Sequence, residues 1–457
     1  MRKLLALLAV LTMVSAAHAE NNFNMSSEFR LRATNDQNTT GNDDNGLTQN
    51  RWDNRLKLGM DFNAGEKFSA HGTFLHNSHW GQDLTGVTNP TGDSGTAIHD
   101  GVGTGQNMLL VNEAYGTWLL NDSTALRFGR GAMTIGDGSV VSVNEWEATP
   151  YAFDGAMVTH DMEFGRLSGF YVKFTDWNLA QGQAVVGPED PETNAYGLNL
   201  DIKAVPDVIK MLNVHVIKVK QDEFQDGATH VPGEDTMRYG LTVAGETMGL
   251  DFRATYASYT GEHISELGTG SAAANQDISS NMMDAEIGYT LADVMGFLLH
   301  FLYHSDTGNS TGATDDETYD SFFYEKHKNG GLMDVFGWGN LTYMQAGVSL
   351  APMDSMTVGL NYIMFSQTEK AGGVIHGANG SAFGTVAAAG GTHTELATED
   401  DLGTEIDLWA TKKYDNGFEI TARYSMFTPG DEFKTANPAT TQEDSYNQIE
   451  LEARMTF

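Results

Sequence analysis

Along the chain, nine long polar stretches and eight short turns separate segments of roughly ten residues in which apolar side chains fall at every second position. A period of two places alternate side chains on opposite faces of an extended strand. Leu56, Leu58, Met60 and Phe62 stand against Arg55, Lys57 and Asp61, and Met356, Val358, Leu360, Tyr362 and Met364 stand against Thr357 and Asn361. The last segment repeats the pattern, with Ile449, Leu451, Ala453, Met455 and Phe457 on one face and Glu450, Glu452, Arg454 and Thr456 on the other. Strands are predicted near 24–34, 51–62, 67–77, 108–120, 124–130, 153–161, 165–176, 192–203, 211–220, 236–245, 249–260, 280–290, 296–305, 338–351, 355–366, 403–412, 418–427 and 446–457. Eighteen is the expected number, and sixteen is the alternative if the fifth and sixth are not strands.

Alternation of this kind over long segments, with all long connections at one end and all tight turns at the other, describes a closed antiparallel transmembrane β-barrel. Asn63-Ala64-Gly65-Glu66, Asn121-Asp122-Ser123, Pro352-Met353-Asp354 and Asp415-Asn416-Gly417 supply the turn chemistry. A large soluble sandwich or propeller also has short strands, but it buries its apolar face and does not segregate loop lengths. No repeat of propeller length is visible.

The N-terminus adds an export signal. Arg2 and Lys3 precede an apolar run from Leu4 to Val14, followed by Ala17-His18-Ala19; this is the pattern of a cleaved signal peptide. Residues 1–19 are expected to be removed near Ala19, leaving 20–457 as a single barrel domain. The apolar run is too short to span about 30 Å of hydrocarbon as a helix. The terminal Phe457 of an amphipathic strand is the expected recognition signal for the barrel-assembly machinery of the Gram-negative outer membrane. The chain has no cysteine, which suits passage through an oxidising periplasm.

Charge refines the picture through its location. The formal net charge is −35, and loss of Arg2 and Lys3 makes the exported chain more negative still, which argues against nucleic-acid partners. The nine long connections carry 35 Asp or Glu against 4 Lys and no Arg. Such a rim hydrates the outer surface and suits cations held between lipopolysaccharide phosphates. It also concentrates cations at the mouth over a Debye length of about 8 Å. No resident cofactor is expected. The hard oxygen ligands of Asn42-Asp43-Asp44-Asn45-Gly46 and Asp315-Asp316-Glu317 suit Ca²⁺ but lack EF-hand spacing.

Inward positions of the barrel assemble a charged lining. Glu28, Arg30 and Arg32 on the first strand, and Arg51, Asp53, Arg55 and Lys57 on the second, point away from lipid. Closure brings Arg423 and Arg454 beside them, so the basic residues gather on one arc. Acidic lining is expected from Glu113, Asp284, Glu286, Glu405 and Asp407 on other strands. These charges act as a selectivity filter, as cross-strand pairs that stiffen the wall, or as both.

One long connection, 131–152, contains Val140, Val141, Val143, Trp146 and Tyr151, side chains with little use in water. It is expected to fold into the bore and carry Asp137, Glu145 and Glu147 towards the basic arc. The alternative is packing over the rim or against a neighbouring subunit.

The stretch from Phe322 to Asn340, with its aromatic cluster followed by His327, a glycine pair, Asp334 and Asn340, resembles the signature of the alginate-export family of outer-membrane proteins. Gly129-Arg130, Phe153-Asp154-Gly155-Ala156 and Glu113-Ala114-Tyr115 are similar to that family as well. The resemblance implies an eighteen-stranded porin and marks Arg130, Asp154, His327, Asp334 and Asn340 as family-motif residues. Departures concern the solute: Glu325 stands where proline is usual, Gly131 where glutamine is common, and the acidic rim with a mixed wall is not an obvious exit for a polyanion.

Catalysis finds little support, because His71, His76, His300 and His304 have no neighbouring nucleophile motif such as Gly-x-Ser-x-Gly. Two functional classes therefore stand. One is a water-filled channel for ions and small hydrophilic solutes, or in a specialised form for an acidic polysaccharide or oligosaccharide. The other is a surface-display barrel without an open pore. Monomer and homotrimer are both compatible with the sequence.

Overall fold

The computed structural model describes residues 22–38, 48–80, 109–176, 185–186, 192–226, 229–264, 275–310, 314–328, 330–370, 399–433 and 443–457. The expected signal segment, 1–19, lies outside the described residues. Eighteen antiparallel strands form one sheet. In chain order they are β1 Asn22–Gln37, β2 Thr48–Ala64, β3 Phe68–His79, β4 Leu109–Asn121, β5 Thr124–Gly131, β6 Phe153–Met162, β7 Gly165–Asp176, β8 Glu192–Ile202 and β9 Ile209–Gln221. The second half comprises β10 Gly233–Thr247, β11 Leu250–Ile264, β12 Gln276–Leu291, β13 Phe297–Asp306, β14 Leu341–Met353, β15 Met356–Gln367, β16 Asp401–Lys413, β17 Phe418–Pro429 and β18 Tyr446–Thr456. Each strand pairs with its neighbour in sequence, and β1 also pairs with β18, Glu28 lying opposite Thr456 and Gln37 opposite Asn447. The ring is closed. Backbone bonds between Ser27 and Phe457, at 2.8 and 3.0 Å, finish the seam.

The sixteen-strand alternative is ruled out, since β5 and β6 pair with each other and with β4 and β7. Closure matters energetically because an open edge in hydrocarbon would leave N–H and C=O groups without partners. The tight connections follow local chemistry: Met248 and Gly249 both have positive φ, 50° and 84°, between the paired ends Thr247 and Leu250. That two-residue type I′ turn matches the right-handed twist of the strands it joins.

The two faces of the wall meet different surroundings. Phe29, Trp118, Phe128, Leu198, Ile287 and Leu451 are exposed and point outward, forming part of an apolar band suited to lipid. Inward, Glu28, Arg30, Arg55, Asp284, Glu405 and Asp407 are buried despite their charge. They are buried because two long connections, 132–152 and 307–340, fold into the barrel. Val140, Val141, Tyr324, Val335, Phe336 and Trp338 from these connections join wall residues such as Tyr343, Phe365 and Phe427 in one hydrophobic cluster. A separate three-stranded ladder of 185–186, 224–226 and 229–231 forms among the connections beyond β7 to β10.

Candidate functional site

Strand register sets a problem at the seam. Arg30 on β1 lies opposite Arg55 on β2 and Arg454 on β18, so three guanidinium side chains stand abreast on the inner face. Like charges directly opposite one another are destabilising. Glu28 offsets two of them, taking Arg55 at 2.5 Å and Arg454 at 2.8 Å. Arg30 has no ion pair with a carboxylate among the described residues; it donates instead to the carbonyl oxygens of Glu145 and Glu147, at 3.0 and 3.1 Å. Arg55 donates to the same two carbonyls, both at 2.9 Å. The arginines thus clamp one turn of the 132–152 connection by its backbone.

The rest of the arc is paired within itself. Arg32 meets Glu452 at 3.0 Å and Glu450 at 3.5 Å, Arg423 meets Glu450, and Arg51 meets Asp36 at 3.1 Å. Lys57 meets Glu145 at 2.6 Å. The arc is basic by count, yet acids on β1 and β18 neutralise most of it locally. The indole of Trp146 lies under the Arg32 guanidinium, 3.5 Å from ring centre to charge, with Arg423 5.0 Å away. Such cation–π contacts gain strength where water is excluded.

At its other extremity the same connection reaches the opposite wall. Gly136, at φ 56°, brings its backbone against Thr242 on β10 and Asn213 on β9. Asp137 meets Arg253 on β11 at 2.7 Å and Lys328 at 3.1 Å. In a ring of eighteen strands, β9 to β11 face β1 and β2 across the lumen, so 132–152 crosses the bore. Glu113 holds the root of the crossing, its carboxylate accepting the Ala132 N–H at 2.9 Å. Asp137 therefore differs from expectation: it goes to the far wall rather than to the basic arc. The reason is local, since its carboxylate caps Ser139, accepting from N–H at 3.1 Å and from Oγ at 2.9 Å, which turns the side chain away from the arc. Burial pushes the Asp137 carboxyl up, but Lys328 and Arg253 outweigh it and hold the group at about 2. Glu145 reaches the arc with its carboxylate, whereas Glu147 is engaged there through its carbonyl.

The second infolded connection lies against the first. The Ser142 N–H donates to Phe323 at 2.7 Å and Phe323 to Val140 at 3.2 Å, a parallel bridge between Val141 and Phe323, and the Glu325 N–H donates to Gly138 at 3.0 Å. The Ser142 hydroxyl donates to the Glu325 carboxylate at 2.6 Å. His327 stacks on Trp146, ring centres 3.4 Å apart and planes 7° from parallel, and its Nδ1 meets Asp334 at 2.9 Å. Arg32, Trp146 and His327 consequently form one stack across three parts of the chain. Further along, Phe336 packs on Phe365, Phe427 and Phe433. Asn340, at φ 61°, exchanges side-chain bonds with the backbone of Glu369, at 2.7 and 2.9 Å.

Several expected lining acids do not face open lumen. Asp284, Glu405 and Asp407 are 0% exposed. Asp284 is held by Arg253 and by His304, which also meets Asp306 at 3.0 Å. Glu405 accepts the Leu332 and Met333 N–H groups at 2.8 and 3.0 Å, so it serves as a docking point for 307–340. Glu286 reaches Arg253 at 3.4 Å. Among the motif residues, His327, Asp334 and Asn340 lie in the inner assembly. Arg130 and Asp154 instead pair at 3.5 Å on the outward face near the long-loop end, and both are about half exposed. The candidate Ca²⁺ segment 42–46 lies outside the described residues; in the other, Asp316 meets His263 and Glu317 meets Ser310. No group of three or more His, Asp or Glu among the described residues is arranged to hold a metal ion.

The Phe322–Asn340 motif now has a place, next to Trp146 inside an eighteen-stranded barrel. The family profile described as alginate export matches residues 20–447. The chain belongs to the alginate export family. This family member is similar in fold to OccAB1 of Acinetobacter baumannii, with TM-score 0.58 and 11% identity over 95% of this chain and 96% of that one. It is also similar to OccK8 (OprE) of Pseudomonas aeruginosa, with TM-score 0.56 and 13% identity over 95% and 98% of the two chains. OccD3 (OpdP) of the same organism gives 0.54 and 13% over 95% and 91%. At such identities the likeness concerns the barrel, and no curated protein matches the chain. The alginate-export membership and the barrel together place this protein among outer-membrane porin-type channels.

Proposed function

We propose that this protein is a passive, water-filled channel of the Gram-negative outer membrane for ions and small hydrophilic solutes, its bore narrowed by 132–152 and 307–340. The single observation that carries this reading is the crossing of 132–152 from Arg253 to Arg30 and Arg55. A barrel kept only as an anchor for surface display has no use for a charged strap across its lumen. Export follows the signal segment, with cleavage near Ala19, and Phe457 serves as the assembly signal. The acidic outer connections would contact lipopolysaccharide through divalent cations. No catalytic role is assigned.

Selectivity in this reading comes from the arc and strap together. Glu145, half exposed beside Lys57 and Arg55, and Arg454, also half exposed, are the charges most open to a passing ion. Insertion into planar bilayers tests the proposal. Stepwise, ohmic conductance is the expected result, and a sealed barrel contradicts it.

A second reading, passage of an acidic polysaccharide or oligosaccharide, draws support from family membership. Neutralisation of the arc by Glu28, Glu450 and Glu452 weighs against it. Oligouronates that block the current at low concentration would favour this second reading; currents indifferent to them would leave the general channel.

A further inference from the structure

On β16, Glu405 and Asp407 occupy successive inward positions, and both are 0% exposed. Asp407 lies opposite Asn361 on β15 and opposite Ser425 on β17, itself 1% exposed. Among the described residues, five buried oxygens of this patch have no well-formed hydrogen bond: both of Asp407, Oε2 of Glu405, Oγ of Ser425 and Oδ1 of Asn361; the Glu405 carboxyl and the Ser425 hydroxyl lie beside Asp407 without one. No Lys or Arg makes an ion pair with Glu405 or Asp407 among the described residues, and the nearby Arg423 is taken by Glu450 and Glu452. His327 and Asp334, which face the pair from 307–340, are engaged with each other at 2.9 Å.

Two adjacent buried carboxylates without a cation are strongly penalised by lost solvation. Clustered carboxylate, hydroxyl and amide oxygens with spare lone pairs are what a hard cation binds. Mg²⁺ takes one or two carboxylates and completes its shell with water, and Ca²⁺ takes six to eight oxygens including hydroxyls and amide carbonyls. We propose that Glu405, Asp407, Ser425 and Asn361 bind a hard divalent cation, Mg²⁺ or Ca²⁺, in the β15–β17 wall. Two carboxylates match its charge, and neutral oxygens arrive from both neighbouring strands. The remaining oxygen of Glu405 already holds the backbone of Leu332 and Met333. The cation therefore fastens 307–340 to the wall, and its removal loosens that connection. This site is separate from the acidic outer loops and does not depend on which solute the channel passes.

The test uses the full mature chain in detergent, stripped with chelator and then supplied with Mg²⁺ or Ca²⁺. Thermal unfolding of the wild type should shift upward with the cation, while Asp407→Asn shows no shift. Asp315→Asn with Asp316→Asn, at the rim, should keep the wild-type response. Ser425→Ala removes a neutral ligand without unbalancing the buried charge, so it serves if Asp407→Asn fails to fold. Its affinity should fall roughly tenfold, read by Tb³⁺ luminescence sensitised through Trp409, the next inward residue on β16. Wild-type unfolding insensitive to either cation overturns the proposal, including the case in which it varies only with pH and the pair simply shares a proton. Equal Tb³⁺ affinity in the wild type and Ser425→Ala overturns it as well.

Discussion

The two infolded connections are held by different forces. The strap 132–152 is fixed at both extremities by charge, with Arg30, Arg55 and Lys57 at one end and Arg253 and Lys328 at the other. The segment 307–340 is fixed by aromatic packing, above all Phe336 against Phe365, Phe427 and Phe433, and by the Glu405 carboxylate. Charge attachments are directional and respond to pH and to isosteric neutralisation. Apolar packing responds to volume and is nearly indifferent to both. One pore can therefore carry a tunable strap on a stable backing.

The difference can be broken most severely on the aromatic side. Phe336→Ala should cost the docked state about 3–5 kcal/mol, seen as protease cleavage within 307–340 and as larger, noisier single-channel currents, with little change at high salt. Arg55→Ala is expected to follow, because it leaves buried Glu28 with Arg454 alone and releases two loop carbonyls; with one arginine still in place the cost should stay below the roughly 3–5 kcal/mol of a fully stranded buried charge. The remaining clamp through Arg30 should limit the conductance rise, so urea unfolding is the sharper readout.

Acid provides a gentler probe of the strap. The Asp137 carboxyl is depressed from its ordinary value of 3.8 to about 2, so its stabilisation is fully present above about pH 4 and is lost as pH falls towards 2. The amount is about 2 kcal/mol for the docked strap. Open-channel noise should rise between pH 4 and 2 in the wild type, and Asp137→Asn should show that noise already at neutral pH with no further acid step. Glu145→Gln is the smallest change, under about 1 kcal/mol for so exposed a pair. Its effect should appear in the reversal potential, shifted towards anions; an unmoved potential would remove Glu145 from the filter.

Much of this was readable from the chain because the wall separates two solvents. Side chains on β1 and β2 alternate so strictly that both the strands and the inward set Arg30, Arg32, Arg51, Arg55 and Lys57 follow from counting by twos. Val140, Val141 and Trp146 likewise betrayed the strap, since water is a poor place for them. The same signal is present in Phe322, Phe323, Tyr324 and Trp338, where the family motif and the packing of 307–340 draw on the same side chains. Asp137 could not be placed because its direction depends on a cap two residues long. The burial of Asp284, Glu405 and Asp407 depends on which loop covers them, and strand periodicity holds no information on that.

The central claim, that a closed barrel is crossed by 132–152, is tested most directly by single-channel conductance in planar bilayers. The wild type is compared with a chain in which the residues between Met133 and Tyr151 are replaced by a short Gly-Ser bridge. Small ohmic steps are expected for the wild type and several-fold larger steps for the shortened chain, with loss of its ion preference. Identical conductance and selectivity in the two would contradict that claim.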